Sequence, residues 1–401
     1  MAGCLPAARA VDWEDFLSKD FHGFTFQPRL ELAEVYTDNL KYTRGTNQFG
    51  DLQSTFSPGL SIRMGDNTGN FVRTEYLHDE ILLLDHFQDS YRQERLGAHG
   101  IYQGSRLKLV GSESYERLSG FLGGLVGQSG TINSAPRQRD VSTGNFRAAY
   151  DWTARTDFYA EFSHYQTYWA KNVALYSYNT LRGSLGGGYK ATERLNVFTE
   201  GFYGQSGVSI DRTNQVPGIA SAFFGAFVGV RGDFTARFTG SAKVGIEDRS
   251  FFSSSSKSIL IPAFDVDLRY ELSFLTSFQL QYSRKTSPSI NFGGQNQTAD
   301  TVTAAATRQL GESKYWSIVG SLSHQLADYN NSSTSAASNA RTDNFVGAQL
   351  ILKFQPRPWF AASGGYGFEH FVVDFANPQL ARVNTSGYQA NRVFLNLSLG
   401  F

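Results

Sequence analysis

Between Leu260 and Leu272 every second side chain is apolar. Leu260, Pro262, Phe264, Val266, Leu268, Tyr270 and Leu272 alternate with a set that includes Asp265, Asp267, Arg269 and Glu271. Successive side chains of a strand point to opposite faces, so this segment offers one face to an apolar medium and the other to water. Arg237 to Arg249 repeats the pattern, with Phe238, Ala242, Val244 and Ile246 opposed to Arg237, Thr239, Ser241, Lys243 and Glu247. From Phe24 onward the chain is a succession of such segments, punctuated by Gly, Asn, Asp, Ser and Pro.

The segments predict strands at 24–36, 52–63, 71–83, 91–103, 107–117, 141–152, 158–168, 176–190 and 195–206. The second half adds 220–234, 237–249, 259–272, 276–286, 299–310, 315–329, 341–355, 359–374 and 386–401. Connections after even-numbered strands are tight, as in Gly104-Ser105-Arg106 and Thr235-Ala236. Those after odd-numbered strands are nearly all longer, as in Thr37 to Asp51, Leu118 to Asp140 and Asn330 to Ala340. Alternating short turns and long loops are the topology of a membrane barrel with its short turns in the periplasm. The expected fold is all-β: an antiparallel transmembrane β-barrel of about 18 strands, with about 16 as the alternative.

Composition agrees once helices are set aside. No apolar run reaches the roughly 18 residues that would cross a bilayer as a helix, and the longest, Ala222 to Val230, contains Gly225 and Gly229. The 20 Tyr, 33 Phe and 40 Gly favour extended structure. One Cys gives no internal disulfide, and 36 basic against 36 acidic residues give no reason to expect a nucleic-acid partner. Ala8-Arg9-Ala10 has the small-x-small form of a signal-peptidase site, so residues 1–10 read as a signal-peptide remnant. An unprocessed leader and a lipoprotein signal ending at Cys4 are the alternatives. Residues 11–23 read as a periplasmic segment and 24–401 as the barrel.

The water-facing set includes Arg29, Arg63, Arg73, Arg95, Arg147, Arg182, Arg231, Lys243, Arg269, Lys285, Lys353 and Arg392. Opposing them are Glu31, Glu75, Asp79, Asp151, Glu161, Glu200, Asp233, Glu247, Asp265, Asp267, Glu271 and Glu369. Such an interior must be hydrated or ion-paired, because unpaired charge in a dry core is costly. Arg231, Asp233, Lys243, Glu247, Asp265, Asp267, Arg269 and Glu271 fall on three consecutive strands and suggest a cross-strand ladder, either stiffening the wall or orienting a polar solute. These residues, with Arg147, Glu200, Lys353, Glu369 and Arg392, are the pore-lining candidates. The connection Leu118 to Asp140 carries Phe121, Leu122, Leu125 and Val126, unusual content for an exposed loop, and is the expected constriction, with an extension of the two strands above the membrane and a disordered loop as the alternatives.

Catalytic signals are few. His78, Asp79, Glu80, Asp85 and His86 could supply a base and carboxylates or hold a divalent ion, but the plainer reading is a polar strand end leaving the membrane. Gly-x-Ser-x-Gly is absent. Neither catalysis, a metal nor a cofactor is expected. Trp13, Trp152, Trp169, Trp316 and Trp359 read as girdle aromatics at the headgroup level. Inside the lumen, only Trp359, Tyr159 and Tyr165 suggest a sugar-stacking surface. Gly186-Gly187-Gly188 reads as relief of crowding within a strand.

The final segment alternates Val393, Leu395, Leu397, Leu399 and Phe401 with Arg392, Phe394, Asn396, Ser398 and Gly400. It resembles the C-terminal signal read by the outer-membrane insertion machinery. With the opening strand Pro28-Arg29-Leu30-Glu31-Leu32 and the following Tyr36-Thr37-Asp38-Asn39, the chain resembles the β-barrel porin family of Gram-negative outer membranes. That resemblance implies a channel for passive diffusion of small hydrophilic solutes, in contact with outer-membrane lipid. An export conduit for a secreted polysaccharide and a closed structural or adhesive barrel are the alternatives. A homo-oligomer is compatible with all of them.

Overall fold

In the computed structural model the described residues are 19–21, 23–42, 48–66, 69–120, 138–170, 177–208, 220–252, 258–288, 295–311, 313–331, 341–375 and 387–400. The strands are β1 (Lys19–Phe21), β2 (Phe24–Thr37), β3 (Asp51–Gly65), β4 (Phe71–Leu83), β5 (Tyr91–Gln103), β6 (Leu107–Leu118), β7 (Arg139–Asp151), β8 (Thr156–Trp169), β9 (Tyr178–Lys190) and β10 (Leu195–Val208). They continue as β11 (Ser221–Asp233), β12 (Phe238–Phe251), β13 (Ile259–Ser273), β14 (Thr276–Pro288), β15 (Gln295–Leu310), β16 (Trp316–Asn331), β17 (Arg341–Arg357), β18 (Phe360–Phe375) and β19 (Tyr388–Leu399).

Each strand from β2 onward pairs antiparallel with the next. β19 returns to β2, Leu399 opposite Leu30 and Arg392 opposite Thr37, which closes an 18-stranded barrel. β3 occupies one edge of β2 along its whole length, whereas β19 covers the other edge only from Leu30. The short β1 takes up the uncovered part, with Lys19 opposite Phe26 and Phe21 opposite Phe24. No free edge of length is left there, which is the usual requirement for a sheet in lipid.

The turns at the chain-terminal end are tight, and three of them share a device. Thr153, Thr192 and Thr235 each stand two residues before an arginine. Their hydroxyls accept from the backbone N–H groups of Arg155 and Thr156 (3.2 and 3.0 Å), Arg194 and Leu195 (3.2 and 3.0 Å), and Arg237 and Phe238 (3.3 and 3.1 Å). A hydroxyl that satisfies two amides of a turn fixes it locally, so these hairpins are specified by three or four residues each. At Gly65, φ of 102° brings the chain against the Asn70 carbonyl, a position a side chain would block.

The outer surface is the apolar half of the alternation. Leu185, Val197, Phe224, Val228, Val244, Ile246, Leu260, Leu350, Leu352, Val393 and Leu395 are exposed although large and apolar. Surface of that kind around a closed barrel is a lipid-facing band. Among the described residues no helix is long and apolar enough to cross a membrane. Trp152 packs edge-on to Tyr150 and Phe158 near one turn, and Trp316 lies on Phe354 near another, consistent with a girdle. Trp169 corrects the girdle reading: it is buried on the inner face with the Arg139 guanidinium 5.3 Å from its ring. Trp359 sits in the β17–β18 turn, and Trp13 lies outside the described residues.

Candidate functional site

The inner face is identified by ion pairs that skip strands. Arg29 on β2 reaches Glu75 on β4 at 2.9 Å as well as Glu31. Arg95 on β5 is held by both oxygens of Asp79 and approaches Glu31 on β2 at 3.6 Å. Arg231 on β11 reaches Asp157 on β8 at 2.6 Å. Side chains separated by intervening strands meet only on the concave side of a closed sheet. The same alternation puts Arg147, Glu200, Lys243, Glu247, Asp265, Asp267, Arg269, Glu271, Lys353, Glu369 and Arg392 inside.

The residues of β11 to β13 share the inner face but make several separate contacts. Lys243 stands directly across from Asp265 in the register. Glu247 pairs with Arg249 at 2.8 Å, and Arg269 with Glu271 at 3.4 Å. Asp267 accepts from the amides of Gln279 and Gln281 at 3.1 and 3.2 Å. Asp233 lies opposite Thr239 at the turn end. Elsewhere, Arg392 pairs with Glu369 at 3.0 Å, Arg147 with Glu161 at 3.4 Å, and Lys353 stands between Ser317 and Ser363 in the register.

From β8 to β12 the inner wall is tiled with aromatic rings. Tyr159, Phe198, Phe202, Phe223 and Phe227 all occupy inner-face positions and are buried. The rings need glycine beside them. A Cβ at Gly186 would strike the Tyr159 ring, one at Gly204 the Phe223 ring, one at Gly225 the Phe202 ring and one at Gly229 the Phe198 ring. Gly186 therefore relieves crowding by admitting a ring. Cations cover the rings: Arg147 is 4.0 Å from Tyr159, Arg182 4.2 Å from Phe202, Arg249 4.4 Å from Phe223, Lys243 4.8 Å from Phe227 and Arg231 5.2 Å from Phe198. Carboxylates then neutralise the cations. Glu200 accepts from Arg182 at 2.7 Å and from the Tyr159 hydroxyl at 3.1 Å, while Asp157 accepts from Arg231 and Asn196. Ring, guanidinium and carboxylate form a layered wall in which each of these charged groups has a partner.

Tyr159 is among the lumen aromatics the sequence suggests, but the four phenylalanines escape it because β10 and β11 carry apolar residues on both faces. Val197 and Tyr203 point outward while Phe198 and Phe202 point inward, so alternation does not tell the two faces apart. The available signal is the pairing of an aromatic with glycine across the strand, Phe202 beside Gly225 and Phe198 beside Gly229.

The wall from β14 to β16 is different in kind. Its inner positions include Gln279, Gln281, Ser283, Thr301, Thr303, Thr307, Gln309, Ser317, Ser321, Ser323 and Gln325. Beyond it a cavity of about 400 Å³ opens against the inner wall, lined by Ser321, Ser323, Gly347, Gln349, Glu369 and Arg392 among others.

At the outer rim Asp51 is fully buried, accepting the backbone amides of Leu84 and Asp85 and contacting His86 Nδ1 at 2.7 Å. His78 and Glu80 face outward, while Asp79 faces inward on Arg95. The histidine and carboxylate cluster of this region is thus dispersed, and no metal-holding group of three or more occurs among the described residues. Tyr42, from the first outer connection, packs edge-on to Tyr388 and contacts Arg392, and burial pushes its phenol up. A Ser/His/Glu triangle does occur on the outward face. There Ser142 Oγ (3.0 Å) and Glu113 Oε1 (3.2 Å) both address Nε2 of His164, so the carboxylate does not hold the opposite ring nitrogen as an acid–base relay requires. Phe121, Leu122, Leu125 and Val126 lie outside the described residues, as does Phe401; Val393, Leu395, Leu397 and Leu399 face outward on β19.

A closed barrel with an apolar outside, a charged and hydroxylated inside and one-sided short turns decides the compartment. The chain is an outer-membrane β-barrel. No family model matches the chain. No curated protein matches it either. Solved structures share the barrel at low identity. Pseudomonas aeruginosa OccK3 (OpdO) is 14% identical, with 94% of this chain and 96% of that chain covered and a TM-score of 0.46. The siderophore receptor PirA from Acinetobacter baumannii is 7% identical, with 94% and 80% covered and a TM-score of 0.49. Acinetobacter baumannii OccAB3 is 10% identical, with 94% and 99% covered and a TM-score of 0.45.

Proposed function

We propose that this barrel is a channel through which small hydrophilic solutes cross the outer membrane by diffusion. The observation that carries the reading is the hydroxyl and amide wall of β14 to β16, running from Ser317 near the turns to Gln325 toward the rim. An interior built only as a scaffold has no need of so much hydrogen-bonding surface turned to the lumen, whereas a wet pore does. Strand number supports it, since barrels of this size leave a water-filled lumen unless a segment enters it. The aromatic wall offers little to a polysaccharide slide, because its ring faces are already covered by guanidinium and ammonium groups.

Purified protein in planar bilayers is expected to give stepwise single-channel conductance, and in liposomes to admit small sugars. Silent bilayers across salt and voltage would remove the channel reading. Polymer retained in a deletion strain with normal small-solute uptake would move it to export.

A further inference from the structure

The register between β13 and β14 stops short. Their pairing runs from Ser273 and Thr276, through a register shift before Glu271, up to Phe264 and Arg284 and ends there. Above that level β13 continues from Ala263 to Ile259, paired only with β12. β14 continues from Lys285 to Pro288, paired only with β15, Thr286 opposite Thr298 and Pro288 opposite Asn296. The wall is unzipped along this stretch while the hairpin itself stays intact.

Several observations give the direction in which the hairpin goes. Arg249, on the inner face of β12 and only 1% exposed, donates from Nη2 to the Thr286 carbonyl at 3.2 Å, passing over β13. β14 also touches β10, which it can reach only across the lumen. Along a barrel wall one face of each strand is open to its surroundings. At the start of β15 both faces are closed: Asn296, Gln297 and Thr298 are 6%, 3% and 5% exposed. Ile261 and Ala263, whose inner faces would look onto open lumen in a regular barrel, are buried as well.

We propose that Lys285–Pro288 of β14 and Asn296–Thr298 of β15 leave the wall, enter the lumen and narrow the pore, with Arg249 as the positioning residue that pins them. Arg249 is suited to this. Its Nε is held by Glu247 at 2.9 Å and Nη1 donates to Ser221 at 3.3 Å, which aims Nη2 at the hairpin backbone. The inference rests on the channel reading for its consequence but not for its geometry, and the experiment separates the two.

Extending the β13–β14 register would put Pro262 opposite Thr286. In assembled protein, oxidation of the pair Val266→Cys with Tyr282→Cys, which are register partners, is expected to cross-link, and Pro262→Cys with Thr286→Cys to stay reduced. Equal cross-linking would show a zipped wall and overturn the proposal. In bilayers Arg249→Ala is expected to raise single-channel conductance by about twofold and to admit larger sugars; an assembled Arg249→Ala barrel with wild-type conductance would overturn the pin. Should that variant fail to assemble, charged thiol reagents on Ser287→Cys are expected to block current, with Ser317→Cys as the weakly affected reference. Equal sensitivity would again overturn the proposal. A wild-type barrel with no current would remove the channel, yet the cross-linking pattern would still decide the hairpin's place.

Discussion

The walls from β8 to β12 and from β14 to β16 are built from similar strands in one sheet, yet they solve opposite problems. The first is dry in effect: rings lie on glycines, cations lie on rings, and carboxylates close the charge. The second keeps short hydroxyls and amides pointing at the lumen, with Asp267 at its margin taking two of the amides. Balanced charge in the whole chain therefore does not mean charge balanced everywhere. On β8 to β12 the cations are held by rings and acids, whereas the inner positions named on β14 to β16 carry hydroxyls and amides.

The sharpest way to test the ring-tiled wall is to make one substitution within it and the same substitution at an uncrowded glycine outside it, on β18. At Gly225 an added Cβ meets the Ile246 carbonyl and the Phe202 ring, whereas at Gly367 nothing is nearer than the Ala348 carbonyl at 4.0 Å. Gly225→Ala is expected to cost about 3 kcal/mol, at the top of the overpacking range, and to reduce the heat-resistant folded fraction on gels, with Gly367→Ala close to wild type. Equal behaviour would mean that the rings are loosely seated. Next in size, Glu200→Ala strands Arg182 and the Tyr159 hydroxyl. The expected loss is about 2 kcal/mol in urea unfolding, below the figure for a fully buried pair because Arg182 keeps about a third of its surface in water. The smallest effect is expected at the neutral wall, where Gln281→Ala should change stability by less than about 0.5 kcal/mol while altering sugar permeation in liposomes. Loss of folding there would show that this wall, too, is structural.

Much of the barrel was legible in the sequence because its signals are local. Period-two alternation and turn chemistry act within a dozen residues, and predicted strands such as 71–83 and 91–103 coincide with β4 and β5. The poorest boundary is instructive. A strand start at 299 is expected where β15 begins at Gln295, because Asn296, Gln297 and Thr298 are polar on both faces and give no alternation. On the hairpin proposal they lack an apolar face because they sit within the lumen and not in its wall. The aromatic tiles were hidden for the converse reason, apolar residues on both faces of β10. Inward and outward identity of such residues depends on glycines in neighbouring strands, information that no single segment contains.

The short joint between β2 and β19 carries a last consequence. All other neighbouring strands of the barrel follow one another directly in the chain, so the sheet can grow by adding each strand to the one before it, at small entropic cost per step. Joining β19 to β2 is a ring closure between distant parts of the chain, as the Asn39 amide bonding the Gln389 carbonyl across 350 positions shows. With β1 lengthening that joint by a few pairs, the barrel is a linear polymer of hairpins whose cyclisation converts it into a pore.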